Sequence, residues 1–221
     1  MQITHLGHAC LLIELAGQRV LVDPGAFSSF EDVTDLDAVV VTHQHPDHLH
    51  PEKAAALLAA NPRARVLMEA QTATTVTDAG YADRVEVLSP GSTLGLGDGG
   101  LQLTAVGEQH ATIHPYVERV GNTGVVLRVE GGPSLYHPGD ALDGEPGEVD
   151  LLCVPVSAPW GKVAEAIAFV RRIAPRRGII PIHDGLLNDT GRGMYVQHIG
   201  TFGAEGGVEV HDLRDAGATS F

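Results

Sequence analysis

Apolar positions recur along this chain in short runs closed by glycine, proline or aspartate, a spacing that predicts strands more often than helices. Gln2 to Leu6, Ala9 to Leu15 and Arg19 to Val22 read as strands, with a turn at Ala16-Gly17-Gln18 and a stop at Asp23-Pro24-Gly25. Residues 26–36 read as loop, and Ala38 to Val41 is a wholly apolar strand. Pro51 to Ala60 has helix composition, with Pro51 in the first turn. Arg65 to Met68 predicts a strand, Thr72 to Asp78 a helix closed by Gly80, and Val85 to Leu88 another strand.

Gly91 to Gly100 reads as turn material, a hairpin connection inside one domain spanning 1–221. Strands follow at Leu101 to Val106, Gly124 to Val129 and Ser134 to Tyr136, with Gly131-Gly132 as a hairpin turn. Leu151 to Val154 is a strand, Lys162 to Ile173 an amphipathic helix and Gly178 to Ile182 a strand. Beyond His183 the pattern weakens to one helix near Tyr195 and a strand near Val208. Strand-rich stretches in both halves, each with helices, predict an α+β arrangement of two packed sheets with helices outside.

Composition narrows the function classes. The apolar share of 43% is that of a globular chain, and 221 residues bury a substantial core. A formal charge of −14 argues against a nucleic-acid or anionic-membrane surface. An anionic small-molecule substrate stays compatible, because a bound metal adds positive charge that the count omits. Cys10 and Cys153 lie in apolar runs and read as buried thiols, which suits a reducing cytoplasm. Neither a signal peptide nor a membrane span is expected. Homo-oligomers are compatible with so small a chain.

The chemistry concentrates in His43-Gln44-His45-Pro46-Asp47-His48, directly after the Ala38 to Val41 strand. Alternate strand side chains share a face, so His43 and His45 can act as a pincer. Pro46 then ends strand pairing and lets Asp47 and His48 fold back toward the same volume. So dense a set of nitrogen and oxygen donors suits divalent transition metals, two rather than one. Further donors recur after apolar runs at His110, Asp140 and His183.

This ordered set resembles the metallo-β-lactamase superfamily: Asp23 in Leu21-Val22-Asp23-Pro24-Gly25, the His43 to His48 cluster, His110, Asp140 and His183. Leu6-Gly7-His8-Ala9, Leu135 to Asp140 and Ile180-Pro181-Ile182-His183 resemble more closely the small metal-dependent hydrolases related to L-ascorbate-6-phosphate lactonase. The resemblance implies a four-layer αββα sandwich with metals at one sheet edge. It gives one metal His43, His45 and His110, the other Asp47, His48 and His183, and Asp140 to both. It places Asp23 beneath them, orienting a ligand histidine. His114 competes with His110, which has the spacing of the subgroup. His8 and His137 line the cavity, orient ligands or are structural; Trp160 walls a pocket or anchors a helix. Asp184 caps a turn or reaches the site, and His5, His50, His198 and His211 read as ordinary surface or core residues.

The expected cofactors are two divalent ions, zinc first, with manganese or iron as alternatives. The function that follows is hydrolysis of an ester, lactone or phosphoester by a metal-bridging hydroxide, with Asp47 both binding metal and orienting water. A non-catalytic metal or ligand sensor using the same site is the alternative.

Overall fold

The computed structural model describes residues 1–221. Its strands are β1 (Gln2–Gly7), β2 (Cys10–Leu15), β3 (Gln18–Val22), β4 (Ala38–Val41), β5 (Arg65–Glu69), β6 (Val85–Leu88) and β7 (Thr93–Leu96). They continue with β8 (Leu101–Val106), β9 (Gly124–Arg128), β10 (Leu135–His137), β11 (Leu151–Pro155), β12 (Gly178–Ile182) and β13 (Thr219–Ser220). Four helices accompany them: α1 (Lys53–Ala60), α2 (Ala70–Thr75), α3 (Val163–Ile173) and α4 (Asp189–Phe202).

The strands form two mixed sheets, ordered β13-β1-β2-β3-β4-β5-β6 and β12-β11-β10-β9-β8-β7. Alternation within each strand decides which face a residue takes. Leu11, Ile13, Ala38, Val40, Leu151, Cys153, Ile180 and Ile182 enter the core between the sheets. Their neighbours Cys10, Leu12, Val39 and Val41 face α1 on one outer side, and Leu152, Val154 and Ile179 face α3 and α4 on the other. Strands covered on both faces read as unbroken apolar runs, which is why β4 and β11 carry no polar position.

The helices seal the outer layers with narrow apolar stripes. Ala54, Leu57 and Leu58 of α1 are buried at the i, i+3, i+4 spacing of one helical face, and Ala166, Phe169 and Val170 repeat it in α3. Burying Leu57 or Leu58 stabilises the layer by about 1.5–3 kcal/mol each. Pro181 donates no ladder bond and lies in β12, an edge strand, where that loss is tolerated.

Four expectations need correction. Gly91 to Gly100 contains β7, an antiparallel partner of β8, so the turn is confined to its ends. Glycine and threonine hid a short edge strand, which is held by the adjoining β8 rather than by its own strand propensity. The helix expected at Thr72 to Asp78 starts earlier, at Ala70, because the Glu69 carboxylate caps it by accepting from the Gln71 and Thr72 amides. Pro51 precedes α1 rather than lying in its first turn. Near Val208 there is no strand, only a single bridge from Val210 to Ile179.

Candidate metal centre

Three strands end in left-handed elbows that aim their next residue into one volume. His8 follows β1, Asp23 follows β3 and His183 follows β12, with φ of 54°, 50° and 58°. An L-residue pays roughly 1–2 kcal/mol for that conformation, so the surroundings must hold it. They do: the His183 amide donates to the His8 carbonyl at 2.9 Å, and the Asp23 amide donates to Val40 in the parallel neighbour strand at 2.9 Å. The loop after β4 is equally constrained. The amides of His48 and Leu49 both donate to the His45 carbonyl at 2.9 Å, closing the turn that brings Asp47 and His48 back. At Gly25 a Cβ would overlap the Asp47 carbonyl, so only glycine lets the two loops meet.

Two groups of donors result, each with ligand atoms within 4.8 Å of one another: His43, His45, His110 and Asp140, and His8, Asp47, His48 and His183. Asp140 lies between them. Its Oδ2 is 3.1 Å from His183 Nε2 and 3.3 Å from His110 Nε2, and its Oδ1 is 3.2 Å from His48 Nε2.

The outer hydrogen bonds fix which nitrogen of each ring is bare. Thr42 gives its one hydroxyl proton to Asp23 Oδ2 at 2.8 Å and so accepts from His43 Nδ1–H at 3.0 Å. His48 Nδ1–H donates to Asp23 Oδ2 at 2.8 Å, His110 Nδ1–H to the Ala111 carbonyl at 2.6 Å, and His183 Nδ1–H to the Ser157 carbonyl at 2.7 Å. In the neutral rings all four Nε2 lone pairs then face inward, toward a carboxylate that also carries lone pairs. His48 Nε2, His110 Nε2 and Asp140 Oδ1 are buried without a hydrogen-bond partner. Such a constellation is repulsive unless positive charge lies inside it, and a divalent cation satisfies all the donors at once.

The electrostatics carry the same demand. Burial would keep His48 neutral, but the Asp140 and Asp23 carboxylates outweigh it and raise its pKa well above the ordinary histidine value. Burial would raise Asp140, yet His48 and His183 hold it well below the carboxylate range. For Asp47, burial is likewise outweighed by the His8 hydrogen bond and the charge of His48, which bring it to about 2. His43, buried and beside His48, is pushed well below the usual histidine value.

His8 has the opposite polarity from the other rings. Its Nδ1 accepts from the Gly185 amide at 3.1 Å, so its Nε2 bears the proton and donates to Asp47 Oδ2 at 3.1 Å. It therefore positions Asp47 and offers no lone pair of its own. Asp23 sits beneath the centre, fully buried, holding the Thr42 amide and hydroxyl together with His48.

The other expectations separate cleanly. His114 is exposed, its ring against Tyr116, whereas His110 is buried among the donors. His137 is a structural histidine: its Nε2–H donates to the Ala9 carbonyl at 2.9 Å and its Nδ1 accepts from the Gly139 amide, tying β10 to the residue before β2. Asp184 neither caps a turn with its side chain nor reaches the site, because Arg192 Nε takes it at 2.6 Å. Trp160 does more than wall a pocket, donating its indole N–H to Asp140 Oδ2 at 2.9 Å. Both cysteines are free and buried.

Sequence reasoning missed Thr42 and Asn122. Asn122 Oδ1 accepts from the Asp140 amide at 2.9 Å while its Nδ2 donates to the Pro138 carbonyl, and so fixes the loop that carries Asp140. Thr42, adjoining His43 at a strand end, offered a weak signal; Asn122, far from any donor in the sequence, offered none.

Residues 2–183 match the beta-lactamase superfamily domain. The chain is 40% identical over 201 residues to Protein Rv0786c of Mycobacterium tuberculosis, covering 88% of this chain and 89% of that one. It is 30% identical to a UPF0173 metal-dependent hydrolase of Hyperthermus butylicus, over 80% and 81% of the two chains. Among solved structures, the metallo hydrolase Igni18 of Ignicoccus hospitalis superposes with a TM-score of 0.73 at 20% identity, covering 100% of this chain and 98% of that one. Fold, ordered donors and relatives agree, and the chain belongs to the metallo-β-lactamase superfamily and, within it, to the UPF0173 metal-dependent hydrolase family.

Proposed function

We propose that this protein is a hydrolase acting through two divalent cations, one held by His43, His45 and His110, the other by Asp47, His48 and His183, with Asp140 shared. The observation that carries this reading is the set of inward Nε2 lone pairs around the Asp140 carboxylate. When bound, such a pair supplies Lewis-acid charge and makes water acidic enough to lose a proton near neutrality. Zinc fits the mixed nitrogen and oxygen donors, and manganese and iron fit them as well.

The chain's own residues do the rest. Asp23 and Thr42 hold the rings of His48 and His43 in one tautomer, and Asn122 and Trp160 hold Asp140. Asp47, with 22% of its side chain exposed, stands at the open side, where it can touch a cation and an attacking water together. His45 is also partly exposed, whereas His43, His48, His110, Asp140 and His183 are buried. An open edge of this kind favours chemistry over the closed shell of a structural metal or a sensor. Water adds to the electrophilic carbon or phosphorus, the bond to the leaving oxygen breaks, and that oxygen takes a proton. The finer resemblance to L-ascorbate-6-phosphate lactonase rests on the sequence phrases around His8, Asp140 and His183.

Elemental analysis of purified protein, followed by assay on lactone, phosphodiester and simple ester substrates, tests the reading. We expect about two metal ions per chain and turnover of one class that chelation abolishes and Asp47→Ala cuts sharply. Metal-free protein that cannot be reconstituted would overturn it.

A further inference from the structure

A cavity of about 490 Å³ abuts the centre, within the range of small-molecule sites. Trp160 and the Ala111-Thr112 segment after His110 form the shared wall, and Leu142, Ala168 and Phe169 add apolar surface. The indole is 5.9 Å from the His110 ring and bonded to Asp140, so one side chain touches both the centre and the cavity.

Four charged residues also line this cavity, and their signs cancel: Arg119 and Arg172 against Asp143 and Glu165. Each already has a protein partner. Arg119 donates to the His110 carbonyl and lies 3.8 Å from Asp143. Arg172 is taken by Glu145 and by the carbonyls of Gly144 and Leu142, its guanidinium 5.5 Å from the Phe169 ring centroid. Glu165 accepts from the Lys162 amide at 2.9 Å. A phosphate or carboxylate entering here would meet guanidinium groups already paired with acidic groups, so no net positive charge draws an anion in.

We infer that this cavity receives an uncharged, apolar acyl chain, and that the substrate is a carboxylic ester or lactone rather than a phosphoester. The inference rests on the hydrolase reading above. It assigns the acyl side because the leaving oxygen needs a proton and a path to water. Water reaches that oxygen on the partly exposed Asp47 side, and the apolar wall of Trp160, Leu142, Ala168 and Phe169 matches the acyl chain.

The test compares p-nitrophenyl hexanoate, p-nitrophenyl acetate and bis(p-nitrophenyl) phosphate on metal-loaded protein, for wild type and Ala168→Phe. Ala168 is exposed on α3 and lies outside the donor groups, so the larger ring fills the cavity without disturbing them. We expect hexanoate to exceed acetate in kcat/KM by about tenfold or more. The variant should erase that preference by lowering kcat/KM for the hexanoate ester, while metal content is kept. A second readout needs no turnover: Trp160 is the only tryptophan, so hexanamide, uncharged like the proposed acyl chain, should shift its emission in wild type and not in Ala168→Phe. Equal turnover of the two esters with no effect of Ala168→Phe, or preference for the phosphodiester, would overturn the inference. If no substrate turns over, the hydrolase reading fails on its own, and an unmoved Trp160 emission on adding hexanamide would still overturn the cavity assignment.

Discussion

The indole N–H of Trp160 donates to Oδ2 of Asp140 at 2.9 Å, joining the one tryptophan of the chain to the carboxylate that faces both donor groups. Because the bond orients a shared oxygen, losing it should loosen both halves of the centre. Trp160→Phe keeps an aromatic wall and removes the donor. We expect metal affinity to fall about tenfold, the lower end of what outer hydrogen bonds contribute, as measured by competition with a chelator.

Asp23→Asn should be harsher. The carboxylate accepts from the Thr42 amide, the Thr42 hydroxyl and His48 Nδ1–H, all at 2.8 Å. An amide NH₂ in place of one oxygen would face a donor and release His48. Metal affinity should drop about 10–100-fold with the fold retained, read by titration calorimetry and circular dichroism.

His8→Ala should act on one half only. Its Nε2–H holds Asp47, while His43, His45 and His110 lie outside its reach. Elemental analysis after dialysis should therefore show loss of one metal ion while the other is kept. Loss of both together would contradict the polarity assigned to this ring.

Metal removal should cost stability as well as activity. Without a cation, His48 Nε2, His110 Nε2 and Asp140 Oδ1 stay buried with no hydrogen-bond partner, so the chelated protein should melt lower. Restoring metal at a hundredfold excess over its Kd should return about 2.7 kcal/mol per site, seen as a rise in Tm that saturates with concentration.

Away from the centre, Asp150 sets part of the acid limit. Burial would raise its pKa, but the Ser134 amide and hydroxyl, with Arg176, outweigh it and leave the carboxyl below its ordinary value of 3.8. A depressed folded pKa stabilises fully above the ordinary value, and that contribution is lost as pH falls through the folded one. Asp150→Asn should cost about 1–3 kcal/mol at neutral pH, and the gap to wild type should shrink in acid. Urea melts across that window measure it.

The order of strands and most of the donors could be read from local pattern. Runs such as Ala38 to Val41 and Gly178 to Ile182 matched their strands, since burial on both faces leaves an unbroken apolar signature. His43 to His48 stood out because its donors are neighbours in the chain. Tertiary structure alone decided the rest. His8 meets Gly185 across 177 positions, and His137 meets Ala9 across 128. Composition alone does not show which ring nitrogen is bare, whether His110 or His114 turns inward, or that Trp160 bonds Asp140. Those outcomes follow from left-handed elbows and loop contacts set by distant packing, whereas periodicity reports only which face of an element is buried.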